Sequence, residues 1–154
     1  MNAKRKETYT FLNSPLTKRL LEEGVKFHGH LGPFLILGLK AGLFANNTLG
    51  KDCFKTYVTV ETDPFPPFSC VADGIQVATG CTMGKRNIEL KEGEGLSVTF
   101  TKEKERLEMH LKEEVLKDLM NLNTKEESEQ KAISLINRSI HELFEVKKHH
   151  LEAK

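Results

Sequence analysis

Residues 33–46 read Pro33-Phe34-Leu35-Ile36-Leu37-Gly38-Leu39-Lys40-Ala41-Gly42-Leu43-Phe44-Ala45-Asn46, and the fold turns on this stretch. Proline suits the first turn of a helix, where no backbone N–H is needed. Leu35, Ile36, Leu39, Leu43 and Phe44 supply bulk, while Gly38, Ala41, Gly42 and Ala45 supply almost none. Each glycine inside a helix costs about 1 kcal/mol relative to alanine, and close approach of another backbone is the natural compensation. The stretch is therefore expected to form a central helix buried against a sheet.

Immediately before it stands Phe27-His28-Gly29-His30-Leu31-Gly32. Gly29 lets the chain bend without a side-chain clash. Extended residues at i and i+2 point to one side of the backbone, so His28 and His30 are expected to converge on a metal ion or a bound substrate. The plain alternative is a single half-buried, hydrogen-bonded histidine. Further upstream, Ser14-Pro15 signals a helix start with Leu16, Leu20 and Leu21 near one face, and Gly24 is expected to stop it. Residues 1–12 are polar and read as a flexible N-terminus.

Downstream, Lys55 to Glu61 alternates around Tyr57, Val58, Thr59 and Val60 and reads as a strand. Pro64-Phe65-Pro66-Pro67-Phe68 cannot continue it. That loop reads either as a lid or partner-facing surface, or as an ordinary loop with its phenyl rings tucked inward. Residues 70–79 read as a short helix with Ser69 as cap, ended by Gly80. Ile88–Leu90 and Leu96–Phe100 read as two strands of a hairpin across Gly93 and Gly95. Helical spacing is expected over Lys102 to Met120, through Leu107, Leu111, Val115 and Leu119. Thr124-x-x-Glu127 reads as a capping box opening a last helix to about Lys147, with Ala132, Leu135, Ile136, Ile140, Leu143 and Phe144 as its apolar stripe. The expected architecture is one α+β domain over 13–148. A mostly antiparallel sheet of segments 55–61, 85–90 and 96–100 packs on the glycine-rich helix. Residues 102–148 form a C-terminal helical extension, and 149–154, with His149 and His150, form a tail.

The chain has 154 residues, enough to bury a core. Its 23 basic and 22 acidic side chains leave a formal charge of +1. No long-range field favours nucleic acid or an anionic membrane. The apolar segments are too short and interrupted to span a bilayer, and the polar start lacks the apolar core of a signal peptide, so the expected location is cytoplasmic. Three cysteines with no Cys-x-x-Cys spacing point to reduced thiols.

A second chemical stretch runs from Cys70 through Asp73, Gln76, Thr79, Gly80, Cys81 and Thr82 to Lys85 and Arg86. Cys70 and Asp73, three apart, share a helix face. At a helix N-terminus Cys70 is expected to feel the positive end of the dipole, which favours the thiolate needed for ligation or attack. Lys85 follows in a glycine-bounded loop where it can meet an anion. Taken one at a time, the cysteines fit small core residues and the charges fit a solvated surface. Together with the two histidines they read as a site.

His28-Gly29-His30-Leu31-x-Pro33, Cys70-x-x-Asp73-Gly74-Ile75-Gln76 and Gly80-Cys81-Thr82-x-Gly84-Lys85 together resemble the FmdE family, named for one of the subunits of formylmethanofuran dehydrogenase. The resemblance covers roughly residues 15–100. It implies an α+β core that tends to dimerise, and a metal-containing site made by the histidine and cysteine motifs. The family usually reads His-Gly-His-x-Cys-Pro-Gly. Here Gly32 occupies the cysteine position and Phe34 follows the proline, so that thiol is missing. Many relatives also carry a C-terminal zinc finger of Cys-x-x-Cys pairs; no cysteine follows Cys81, so the module is not expected here.

Three readings follow. In the first, the chain is a metal-dependent enzyme, or part of one, acting on a small substrate that can carry an anionic group. A divalent transition metal, zinc by ligand softness, is held by His28, His30, Cys70 and Cys81, with Asp73 and Lys85 as catalytic groups. In the second, it is a non-catalytic metal- or cofactor-binding module of a larger molybdenum or tungsten dehydrogenase complex. In the third, it is a structural homodimer whose thiols are inert.

Overall fold

The computed structural model describes residues 15–152. Six α-helices are α1 (Lys18–His28), α2 (Pro33–Leu49), α3 (Val71–Thr79), α4 (Glu113–Met120), α5 (Lys125–Leu135) and α6 (Ile140–Leu143). Five strands are β1 (Thr56–Thr62), β2 (Ile88–Glu92), β3 (Leu96–Lys102), β4 (Glu105–Leu111) and β5 (Phe144–His150). The strands form one sheet in the order β2-β1-β3-β4-β5, and the fold is α+β. Only β1–β2 is parallel; the other pairs are antiparallel. Among the described residues no helix is long and apolar enough to cross a membrane. Ser14 and residues 1–12 lie outside the described residues.

The glycine-rich helix is central, as its composition requires. From Pro33 to Gly42 every residue of α2 is buried, and its close partner is α3. A Cβ on Gly38 would lie 2.1 Å from the Val71 carbonyl oxygen, and one on Gly74 would lie 2.4 Å from that of Leu35. Two facing glycines thus bring the helix backbones into contact, which offsets their helix-propensity cost. On the sheet, Val58, Val60, Val98, Phe100, Leu107 and Met109 turn inward and are fully buried. Tyr57, Thr59, Thr99 and Glu108 alternate outward.

Several expectations need correcting. Gly24 does not stop α1; it is buried within it, where a Cβ would meet Leu39 Cδ1 at 2.9 Å. Thr17 caps the helix through its side chain, so Pro15 precedes rather than opens it. Ser69 lies in a 3-10 turn, Phe68–Cys70, and Cys70 is the residue before α3.

Residues 105–111 form a strand, and helix begins only at Glu113. An i, i+4 leucine pair such as Leu107 and Leu111 satisfies period two as well as period 3.6; Met109, buried between them, shows which period won. The last segment also breaks. Ser139 and Glu142 form a complete capping box that starts the short α6, and β5 then runs along β4 to His150. The expected tail therefore begins inside a strand, with His149 opposite Arg106 and His150 opposite Glu105.

β2 and β3 are not a hairpin. They flank β1, and Gly93–Gly95 carries the chain across its end, anchored where Gly93 N–H donates to the Thr62 carbonyl at 3.1 Å and Thr62 Oγ1 donates to the Gly95 carbonyl at 2.7 Å. The parallel β1–β2 pair is connected through α3, the crossover that parallel strands require.

Candidate functional site

His28 is the last residue of α1, and the helix ends on Gly29, whose φ of +107° is a left-handed conformation that glycine adopts readily. The chain then passes through His30 to Gly32 and enters α2. The two imidazoles do converge, with ring centroids 4.7 Å apart, but a helix C-cap turn rather than an extended segment brings them together.

Asp73 sits in the first turn of α3, and its Oδ2 is 2.6 Å from His28 Nδ1. A carboxylate only accepts, so Nδ1 carries the proton and donates. The His28 side chain is 9% exposed. Gln76, one turn further along α3, donates from Nε2 to Asp73 Oδ1 at 3.4 Å and accepts at Oε1 from Met83 N–H at 2.9 Å. The Met83 contact fixes which end of the amide faces the carboxylate. Gln76 was visible in sequence only as part of a motif; the Asp73-x-x-Gln76 spacing on one helix face was the available signal of its role.

Beside the pair lies a cavity of about 130 Å³. His28, His30 and Cys70 line it together with apolar walls from Phe34, Leu119 and Leu122. Leu119 and Leu122 come from the end of α4 and the link after it, far from either motif in sequence. Phe68 backs this wall, edge-on to Phe34 at 5.3 Å, while Phe65 is exposed. Gly32, before α2, makes no side-chain cap, and a Cβ there would lie 3.2 Å from His30 Cε1.

The expected thiolate at Cys70 is corrected. Burial, and then the negative charge of Asp73, push its thiol above the ordinary cysteine range, outweighing the helix end. Cys81 does not line the cavity. It is fully buried near the start of β1, with its thiol directed at the Thr56 carbonyl at 3.5 Å, and burial raises its pKa too. Lys85 is exposed on the loop before β2, donating to Thr82 Oγ1 at 2.9 Å with its Nζ 5.9 Å from the centre of the Phe54 ring. The fold thus brings together His28, His30, Cys70 and Asp73, and leaves Cys81 and Lys85 in a separate cluster. Among the described residues no three His, Cys, Asp or Glu side chains are arranged to hold a metal ion.

Comparisons with known proteins bear on the same elements. A family model described as "FmdE, Molybdenum formylmethanofuran dehydrogenase operon" matches residues 27–151. A curated protein of Archaeoglobus fulgidus, named a probable S-adenosyl-L-methionine-binding protein, is 36% identical over 77 residues, which cover 46% of this chain and 20% of that protein. The chain therefore spans about a fifth of that relative's length. The crystal structure of an FmdE-like protein of tungsten formylmethanofuran dehydrogenase type, from Syntrophus aciditrophicus, superposes with a TM-score of 0.59 at 15% identity, covering 87% of this chain and 72% of that one, a likeness of fold. With the family match running from the residue before His28 through the last strand, the chain belongs to the FmdE family.

Proposed function

We propose that the cavity beside His28 receives a small molecule and that His28, its tautomer fixed by Asp73, exchanges a proton with it. The 2.6 Å contact between His28 Nδ1 and Asp73 Oδ2 at the cavity wall carries this reading. Holding the proton on Nδ1 leaves Nε2 with its lone pair, the form a general base needs. A positioned acid–base group of this kind contributes about 10²–10⁴-fold to a reaction rate. The uncapped start of α2 at the same cavity suits an anionic group on the ligand. Size limits the candidates. A drug-sized ligand occupies roughly 300 Å³ or more, so a whole S-adenosyl-L-methionine does not fit within about 130 Å³.

A second reading adds a divalent transition metal, zinc by ligand type. The adjacent imidazoles favour it, as does the carboxylate behind His28, an arrangement common behind metal-bound histidines. The side chains of one copy do not complete such a site. The remaining donors would come from the ligand or another chain, so no step of the chemistry is assigned to a metal. Assembly is proposed at the same level: a homodimer, with docking to a larger dehydrogenase-type complex as the family's description suggests.

The test combines metal analysis of purified protein with an NMR titration by small carboxylates and their neutral amides, on wild type and His28→Asn. Saturable shifts of the His28 ring that vanish in the variant support the ligand site. Shifts confined to other surfaces sink it. Near-stoichiometric zinc lost in His28→Asn would favour the second reading, whereas metal-free protein after reconstitution would remove it.

A further inference from the structure

The geometry points to β2 as the surface on which a second copy of this chain docks, through antiparallel self-pairing centred on Leu90. This names a surface for the homodimer proposed above and is independent of the ligand reading.

β2 is an edge strand, paired with β1 on one side only. Its backbone has a fixed parity. Asn87 accepts from Val58 N–H at 2.9 Å and Gly93 donates to the Thr62 carbonyl at 3.1 Å, in the register Val58↔Ile88 to Thr62↔Glu92. In a parallel ladder alternate residues bond to the neighbour. Asn87, Glu89, Lys91 and Gly93 therefore turn their N–H and C=O groups toward β1. Ile88, Leu90 and Glu92 turn theirs outward to the free edge.

A two-fold axis at Leu90 sets Leu90 against the partner's Leu90 and Ile88 against the partner's Glu92. These are the residues with outward backbone groups, so each facing pair can exchange hydrogen bonds. The same register sets Glu89 opposite the partner's Lys91, and Lys91 opposite the partner's Glu89. Both side chains lie on one face of the strand and are available, at 40% and 58% exposure, with Lys91 Nζ 3.2 Å from Glu89 Oε1 within the strand. Centring the axis on Glu89 or on Lys91 puts like charges opposite one another and faces the already bonded backbone groups together. Backbone parity and charge thus select one register independently. Leu90, 39% exposed beside Val60 at the margin of the core, gains an apolar neighbour in it. Edge strands are commonly blunted by inward lysines, prolines or bulges; β2 instead carries a self-complementary charge pair. The product is one continuous sheet through both copies.

Sedimentation equilibrium on the full chain tests this with Glu89→Lys, Lys91→Glu and an equimolar mixture of the two variants. Each single variant presents like charges across the axis and should raise the dimer dissociation constant at least tenfold. Mixing them sets lysine opposite glutamate at both positions and should restore a dimer of wild-type affinity. Circular dichroism melts of each variant check that it is folded, and the mixture test holds whatever happens to the contact within the strand. A wild type that stays monomeric at every concentration overturns both the surface and the homodimer. Single variants that dimerise like wild type, or a mixture that stays monomeric, overturn the surface and leave the homodimer to another face or another segment of the chain.

Discussion

Asp73 Oδ2 and His28 Nδ1 are 2.6 Å apart although 45 positions separate the residues in sequence, because the last turn of α1 and the first turn of α3 meet beside α2. The carboxylate makes His28 a single tautomer with Nε2 left for other partners. Asp73→Asn removes the charge while keeping the shape. Loss of a carboxylate behind a working histidine typically costs tenfold to a hundredfold in affinity or activity, and a similar loss is expected for any cavity ligand. Nitrogen-15 spectra of the His28 ring check the cause: wild type should show protonated Nδ1, the variant a mixture. An unchanged tautomer would remove Asp73 from its orienting role.

The same substitution should act on Cys70 in the opposite direction. Burial first, and then the Asp73 charge, hold its thiol protonated above the ordinary cysteine range. Removing that charge lowers the pKa and raises the thiolate fraction, so iodoacetamide under mildly alkaline conditions should label Cys70 several-fold faster in Asp73→Asn. Peptide mass mapping separates Cys70 from Cys53, which is also partly accessible. Equal rates would show that burial alone governs the thiol.

Gly74→Ala should be among the most damaging single changes. Its Cβ would lie 2.4 Å from the Leu35 carbonyl oxygen and 2.6 Å from Leu39 N, both rigid helix backbone. Separating two packed helices costs about 3 kcal/mol or more. Gly29→Ala meets nothing within 4 Å and carries only the strain of its positive φ, about 1 kcal/mol. Urea unfolding of both variants should return that order, and a reversal would refute the close helix approach.

Lys40 is buried in α2, donating from Nζ to the Ile136 carbonyl at 2.8 Å. Burial pushes its pKa down to about 8 against 10.5 in the unfolded chain, partly opposed by the negative charge of Glu142. Between these values the unfolded state binds more protons, so stability rises as pH climbs from 8 to 10.5 and falls again as pH returns to 8. After allowance for solvent screening the change is on the order of 2 kcal/mol. Subtracting the pH profile of Lys40→Met from that of wild type isolates it. A flat difference would show that Lys40 titrates normally.

What the sequence determined follows from local chemistry. Pro33, Gly38 and Gly42 dictated a buried helix whose backbone is closely approached, and Gly80 ended α3 in a left-handed conformation. The His28, His30, Cys70 and Asp73 motifs were legible as reactive groups because their residue types exceed what packing requires. Tertiary structure decided the rest. Period two and period 3.6 coincide at a spacing of four, so Leu107 and Leu111 could not announce that β4 is a strand; burial of Met109 against the sheet did. Gly93 and Gly95 fit a hairpin locally, but β1 inserts between β2 and β3, and only long-range pairing can express that choice. Cys81 and Lys85 follow α3 closely in sequence, yet the left-handed turn at Gly80 sends them toward the start of β1, away from the cavity. Its outer wall, Leu119 and Leu122, comes from the opposite end of the chain. Motifs name the groups that can react; the packing of α1, α2 and α3 selects which of them meet.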